Sequence, residues 1–272
     1  MRLLAIESST DLLSVALLID GEVIERVDDR SNGGVNHSDS VLPLVKELLE
    51  FKGTELSFLD AIAFGSGPGA FTGLRLACGV AQGLAIGVGL PVIGIPSLEA
   101  LAWAFAEERN RKSAENGAAP DSMFPQAIYT CMDARMNEVY CAAYRILGDT
   151  VETVLEPVVV APQQAPLPLF PALPEFSLLS AADDAQKWRG VGNGFAVYGE
   201  ALKLRFAGCL ENIADTDGAS AKAVPRASAI ARLAAPRLAR GEGVDPALAT
   251  PLYVRNKIAF TTEERLARGG KA

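Results

Sequence analysis

One pattern in this chain occurs twice, and it limits the fold more than any other. Residues 3–7 are an apolar run that ends in the acid Glu7, and a second run at 13–19 leads into an Asp20-Gly21 turn. Residues 127–132 form another such run, ending in Asp133, and a second at 139–147 leads into Gly148-Asp149. A strand closed by a carboxylate, a turn and a returning strand, met once in each half, predict an α/β chain of two related lobes. Any two short hairpins read alike, so the repeat alone leaves unrelated hairpins open.

A third run at 22–27 completes the first meander. Val41, Leu44, Val45, Leu48 and Leu49 then fall at helical spacing. Residues 61–64 return to strand, a helix follows over about 70–88, and Pro-Val-Ile-Gly-Ile at 91–95 reads as a short buried strand. Ser97 is the expected N-cap of the next helix. Residues 76–98 carry no charge, which is long enough to imitate a membrane span. Gly87, Gly89 and Pro91 break it into helix, turn and strand, as expected of a soluble fold without a membrane partner. At 107–122 the composition shifts to charged and small residues, which predicts the connection between an N-terminal lobe (1–106) and a C-terminal lobe (107–272). Five prolines between Pro162 and Pro174 predict an extended surface loop in the segment 161–184. Further helices are expected at about 195–206 and 225–240, the second stopping at Gly241.

The residue inventory excludes much chemistry. The chain holds one histidine, His37, so no histidine cluster can bind a metal, and a Ser-His-Asp arrangement would lack its Gly-x-Ser-x-Gly elbow. His37 reads as a helix-start or surface residue. Cys78, Cys131, Cys141 and Cys209 show no C-x-x-C spacing and read as reduced thiols of a cytoplasmic protein. The first apolar run meets Glu7 too early for a signal peptide. With 25 Lys and Arg against 33 Asp and Glu, the net charge of -8 opposes a bare surface for nucleic-acid phosphates, so any nucleic-acid role needs a basic partner.

Three segments remain as candidate sites. Gly65-Ser66-Gly67-Pro68-Gly69-Ala70 has the form G-x-G-x-x-A, but the acid that should hold a ribose about 20 residues on is missing, and the structural reading of a tight turn into a packed helix is favoured. Glu7, Ser8, Ser9, Thr10 and Asp133 occupy the strand-end turns where actin-like ATPases hold phosphate and magnesium, and are the candidates for binding ATP or ADP. Glu7 stands there for an aspartate and Ser9 for a glycine, so hydrolysis is not expected. Gly79, Gly83 and Gly87 recur every four residues on the 70–88 helix, a spacing that admits another helix to close range. Together with Val41, Leu44, Val45 and Leu48 they form the candidate partner interface, with burial in the chain's own core as the alternative.

Leu4-Ala5-Ile6-Glu7-Ser8-Ser9-Thr10 and Gly67-Pro68-Gly69-Ala70-Phe71-Thr72-Gly73-Leu74-Arg75 resemble the N-terminal signatures of the bacterial TsaB family. Asp133-Ala134-Arg135 with Glu138-Val139-Tyr140, Gly192-Asn193-Gly194 and Pro251-Leu252-Tyr253-Val254-Arg255-Asn256 extend the resemblance over both lobes. The resemblance implies a two-lobed actin-like fold and a non-catalytic subunit that pairs with the catalytic paralogue TsaD. With the ATPase TsaE, these proteins attach threonylcarbamoyl to the adenosine beside the tRNA anticodon. It also implies that tRNA is met only through the complex; no cofactor is expected to be required, and the same helix faces are expected to take a second copy of the chain when the partner is absent. TsaD-type proteins carry His-x-x-x-His, whereas here His37 is followed four residues later by Val41. An actin-like ATPase or small-molecule kinase, and a protease, are the alternatives.

Overall fold

The computed structural model describes residues 1–29, 36–115, 126–168, 188–211, 218 and 223–255. The first sheet holds β1 (Arg2–Glu7), β2 (Leu12–Ile19), β3 (Glu22–Asp29), β4 (Ala61–Gly67) and β5 (Val92–Pro96) in the order β3-β2-β1-β4-β5. The meander β1-β2-β3 is antiparallel, and β4 and β5 join in parallel beside β1. The second sheet repeats this plan with β6 (Gln126–Asp133), β7 (Val139–Leu147), β8 (Thr150–Val160), β9 (Trp188–Val191) and β10 (Leu210–Glu211) in the order β8-β7-β6-β9-β10. Again the first three strands are antiparallel and the last two parallel. The duplicated hairpin read in the sequence is therefore the opening of a duplicated five-stranded sheet.

Period-two alternation gives the first sheet two different faces. Leu4, Ile6, Val15, Leu17, Ile62 and Phe64 form an aliphatic face covered by α1 (His37–Lys52) and α2 (Phe71–Val88). Ala5, Ala16, Ala61 and Ala63 make the opposite face shallow, so the alanine-rich α6 (Ala227–Ala239) lies close upon it. That face continues into one core with α3 (Ser97–Glu115) and, from the second sheet, Ile128, Met132, Ala142, Tyr144 and Ile146. The two lobes also exchange helices: α6 packs on β1, β2 and β4, and α3 packs on β6 and β7. A third core, around Tyr129, Trp188 and Phe206, fills the far side of the second sheet.

Several local expectations are revised. Residues 107–115 are not linker but the end of α3, because their charges pair along one helix, Arg111 with Glu108 and Glu115, and Lys112 with Glu108. The rest of the 107–122 segment lies outside the described residues. Of the proline-rich segment, Pro162–Gln164 form a 3-10 turn and 169–184 lie outside the described residues. The helix expected at 195–206 is two short ones, α4 (Gly194–Val197) and α5 (Gly199–Arg205), divided at Tyr198. His37 does start α1, but it is buried, with its Nε2 3.2 Å from the Asp11 carbonyl oxygen.

Candidate functional site

Where the lobes meet, a cleft of about 290 Å³ is lined by the turn after β1, the start of α2, the β6–β7 hairpin and residues 252–255. Of the predicted nucleotide ligands, Ser9, Thr10 and Asp133 reach it, while Glu7 and Ser8 are turned away. Glu7 is fully buried. Its Oε1 accepts from Ser9 N–H at 2.6 Å and its Oε2 from the Ser97 hydroxyl at 2.9 Å, at the start of α3. An aspartate is one methylene shorter, and the extra length lets Glu7 lean over Gly65, where any Cβ would overlap its carboxylate. Burial pushes its pKa up from the ordinary carboxylate value, against the pull of hydrogen bonds from Ser9, Ser97 and Ser8. This acid holds strand to helix and does not face the cleft.

The turn after Glu7 is equally committed. The Ser8 hydroxyl donates to the Gly73 carbonyl at 2.8 Å, and the Ser9 carbonyl accepts from Ala70 N–H at 2.7 Å. Gly69 and Gly73 are glycines because Ser9 and the Ser8 carbonyl press against them, leaving no room for a Cβ. In phosphate-binding loops, amides at a helix start face an anion. Here the Ala70 amide, at the start of α2, is given to the chain's own backbone. The Thr10 hydroxyl accepts from Leu12 N–H at 3.2 Å and caps its own turn.

Across the cleft, Asp133 is saturated as well. Its Oδ1 accepts from Arg135 N–H at 2.8 Å and from the Tyr198 hydroxyl at 3.1 Å, and its Oδ2 lies 3.3 Å from Arg135 Nη1. Arg135 then reaches the other lobe, Nη2 to Asp11 Oδ2 at 3.1 Å. Arg135, Met136 and Asn137 all take left-handed φ angles of 60°, 54° and 58°, strain that a non-glycine residue rarely bears. Sequence reasoning missed Asp11, Ser97 and Tyr198. The Asp-x-Arg spacing was the available signal for Arg135, and none marked Tyr198.

The second candidate site is a helix face. α2 buries Gly73, Leu74, Ala77, Cys78, Ala81 and Ala85 at i, i+3 and i+4 spacing against the first sheet. Its outer face carries Gly79, Gly83 and Gly87, all exposed, and a Cβ at each would meet nothing within 4 Å. The alternative of burial in the chain's own core therefore fails for these three glycines. It holds for α1: Val41, Val45 and Leu48 are 1%, 3% and 0% exposed in the core under β2, and Leu44 packs partly against them. The apolar stripe of α1 is the face it turns to its own sheet, so Val41, Val45 and Leu48 are not available to a partner, and Leu44 is half-buried at the edge of that stripe. The outward apolar residues on and around these helices are instead Leu42, Phe58 and Ile86, while Phe51 packs its ring under Arg26 of β3, whose guanidinium carbon lies 5.2 Å from the ring centre.

Two copies of one five-stranded plan, joined by exchanged helices around a cleft, define a two-lobed actin-like α/β protein. The family model described as "TsaD: tRNA N6-adenosine threonylcarbamoyltransferase" matches residues 25–261. The chain is 32% identical over 266 residues to the tRNA threonylcarbamoyladenosine biosynthesis protein TsaB of Escherichia coli K12, covering 96% of this chain and 97% of that protein. It is 31% identical over 270 residues to the protein of the same name from Haemophilus influenzae, covering 96% of each. The solved structure of YeaZ from Pseudomonas aeruginosa superposes with a TM-score of 0.68 at 32% identity, covering 93% of this chain and 99% of that one. A further structure from that organism, an uncharacterized protein with similarity to peptidase YEAZ, gives 0.69 at 33% identity with the same coverage. The chain belongs to the family that the TsaD model defines and, within it, to the TsaB (YeaZ) family.

Proposed function

We propose that this chain is a non-catalytic cytoplasmic subunit of tRNA threonylcarbamoyladenosine biosynthesis that docks through the outer face of α2 onto a TsaD-like catalytic paralogue and activates it. The names of its relatives support the pathway. One structural observation carries the docking: Gly79, Gly83 and Gly87 stand exposed and unopposed in a helix. Glycine inside a helix costs about 1 kcal/mol against alanine. Nothing among the described residues recovers that cost, whereas a partner helix in close approach would. The exposed Ile86, on α2 itself, and Phe58, in the 3-10 turn that contacts α2, supply apolar area around it.

The cleft supports the non-catalytic half of the reading. Its carboxylates are satisfied within the chain, and the loop that would cradle phosphate is closed on α2. Nucleotide is accordingly not required by this subunit. A TsaE-like ATPase supplies ATP chemistry, tRNA is met through the complex, and a second copy takes the α2 face when the catalytic partner is missing. The test is Gly83→Leu. Affinity for the TsaD-like protein of the same organism falls roughly five- to 150-fold, as about 1 to 3 kcal/mol of overpacking requires. The thermal midpoint of the isolated chain holds, and Ala207→Leu on the far lobe changes neither quantity. Retained affinity in Gly83→Leu would overturn the docking face.

A further inference from the structure

After α6 the chain takes a course that docking by α2 does not explain. Val244 pairs with Val92 at the edge of β5, with mutual hydrogen bonds of 2.9 and 3.0 Å. The backbone then runs along α2 in the opposite direction. Near the C-terminal end of α2, Gln82 Nε2 donates to the carbonyls of Pro246 at 2.8 Å and Ala249 at 3.2 Å. One turn back, the Cys78 thiol lies 3.6 Å from the Ala249 carbonyl. At the helix start, Leu252 N–H donates to the Ser66 carbonyl at 2.7 Å, Arg75 Nε donates to the Tyr253 hydroxyl at 3.2 Å, and the Tyr253 ring lies 5.6 Å from that of Phe71. Two residues later the chain is anchored in the other lobe: Arg255 Nη2 donates to the Ala134 carbonyl at 3.0 Å and pairs with Glu138 at 2.5 Å. Both acceptors belong to the β6–β7 hairpin, whose tip is the left-handed turn at the cleft.

We infer that residues 245–255 are a brace that fixes the position of α2 and makes its docking strength depend on the anchorage of Arg255 in the other lobe. The inference rests on the reading of α2 as the docking helix. α2 is poorly held by its own sequence: it has three open glycines and no side-chain cap at its N-terminus. The brace supplies contacts at its start, middle and end. Releasing Arg255 lets the first turns of α2 shift, and a helix that is in the docking position a tenth of the time binds about tenfold more weakly.

The experiment uses the full chain, alone and with the TsaD-like protein. Amide hydrogen exchange is followed over 71–82 in α2 and over 41–50 in α1, for wild type, Arg255→Ala, Arg255→Lys and Tyr253→Phe. In Arg255→Ala, exchange in α2 rises about tenfold with α1 and the thermal midpoint unchanged, and partner affinity falls by a similar factor. Arg255→Lys keeps a cation opposite Glu138 and recovers part of both effects, and Tyr253→Phe raises exchange only in the first turns of α2. A general role in stability would raise exchange in both helices alike, and that result overturns the brace, as does unchanged exchange in α2. Faster α2 exchange with unchanged affinity overturns the coupling. Gly83→Leu measured alongside separates the two readings: if it too leaves affinity intact, the docking face has failed, and with it the coupling.

Discussion

Replacing the open glycines with alanine should move stability and docking in opposite directions. Gly79 and Gly83 lie in the interior of the 18-residue α2, and a Cβ at either meets nothing within 4 Å. Each change to alanine therefore gains the helix propensity that glycine gives up, about 0.8–1 kcal/mol, without a clash. The double variant Gly79→Ala/Gly83→Ala gains about 1.6–2 kcal/mol, which at roughly 2–4 °C per kcal/mol for a chain of this size raises the thermal midpoint by about 3–8 °C. The same two methyl groups stand where a partner helix must come closest. Overpacking there costs about 1–3 kcal/mol and weakens docking roughly five- to 150-fold. Calorimetry on the dilute isolated chain reads the first effect, and titration calorimetry with the TsaD-like protein reads the second. A lowered midpoint would refute the open-face reasoning, since it would mean that these glycines pack against the chain itself. A raised midpoint with undiminished affinity would leave the glycines without the role proposed for them.

Burial raises the Glu7 pKa in the folded chain, so the folded state binds the proton more tightly than the unfolded one and stability falls as pH rises from about 4.5 through the raised value. Glu7→Gln lacks this titration, and its urea stability relative to wild type should rise across that window; a pH-independent difference would contradict the assignment. Arg237 pairs at 2.5 Å with Glu99, whose side chain is 5% exposed, and Arg237→Met should cost about 3–5 kcal/mol in urea unfolding by leaving that acid unpaired between α3 and α6. A loss under 1 kcal/mol would show the acid to be solvated or protonated instead. The isolated chain should hydrolyse ATP well below the ~1 per second of ordinary enzymes and bind tRNA no tighter than roughly 10⁻⁴ to 10⁻⁶ M at physiological salt. Turnover abolished by Asp133→Asn, or nanomolar tRNA binding, would reverse the division of labour proposed for the complex.

The sheet plan was legible because hairpins are local: the runs at 3–7 and 13–19 pair across one short turn, and the repeat at 127–147 does the same. The exchange of α3 and α6 between lobes was not legible, since it is decided by which alanine-rich face meets which helix, for α6 across well over 100 residues and for α3 across the lobe boundary. At the candidate sites the limit was the same. Periodicity showed that Val41, Val45 and Leu48 share an apolar face but not whose core that face enters. Glycine spacing showed a stripe, and only the open space beyond it distinguished an unfinished surface from a close packing inside the fold. Glu7 was recognisable as the acid at a strand end, yet its direction depends on Ser97, 90 residues away.

These placements bear on why such a fold would serve as a scaffold. In a two-lobed catalyst the cleft closes and opens on substrate, which requires lobes that move relative to each other. Here one continuous core joins the inner faces of both sheets through α3 and α6, the buried Glu99–Arg237 pair ties those two helices together, and Arg135 reaches from Asp133 to Asp11 across the cleft. Opening the cleft would expose alanine-lined surface and break charged contacts. The turn after β1 is held by bonds within the chain, Ser8 to Gly73 and Glu7 to Ser9 and Ser97. The glycine face of α2 lies on the far side of the first sheet from that core, and nothing among the described residues covers it. A body held this tightly, with an open glycine face on one helix, is suited to present that helix to another protein, and the brace at 245–255 ties the helix to the same body.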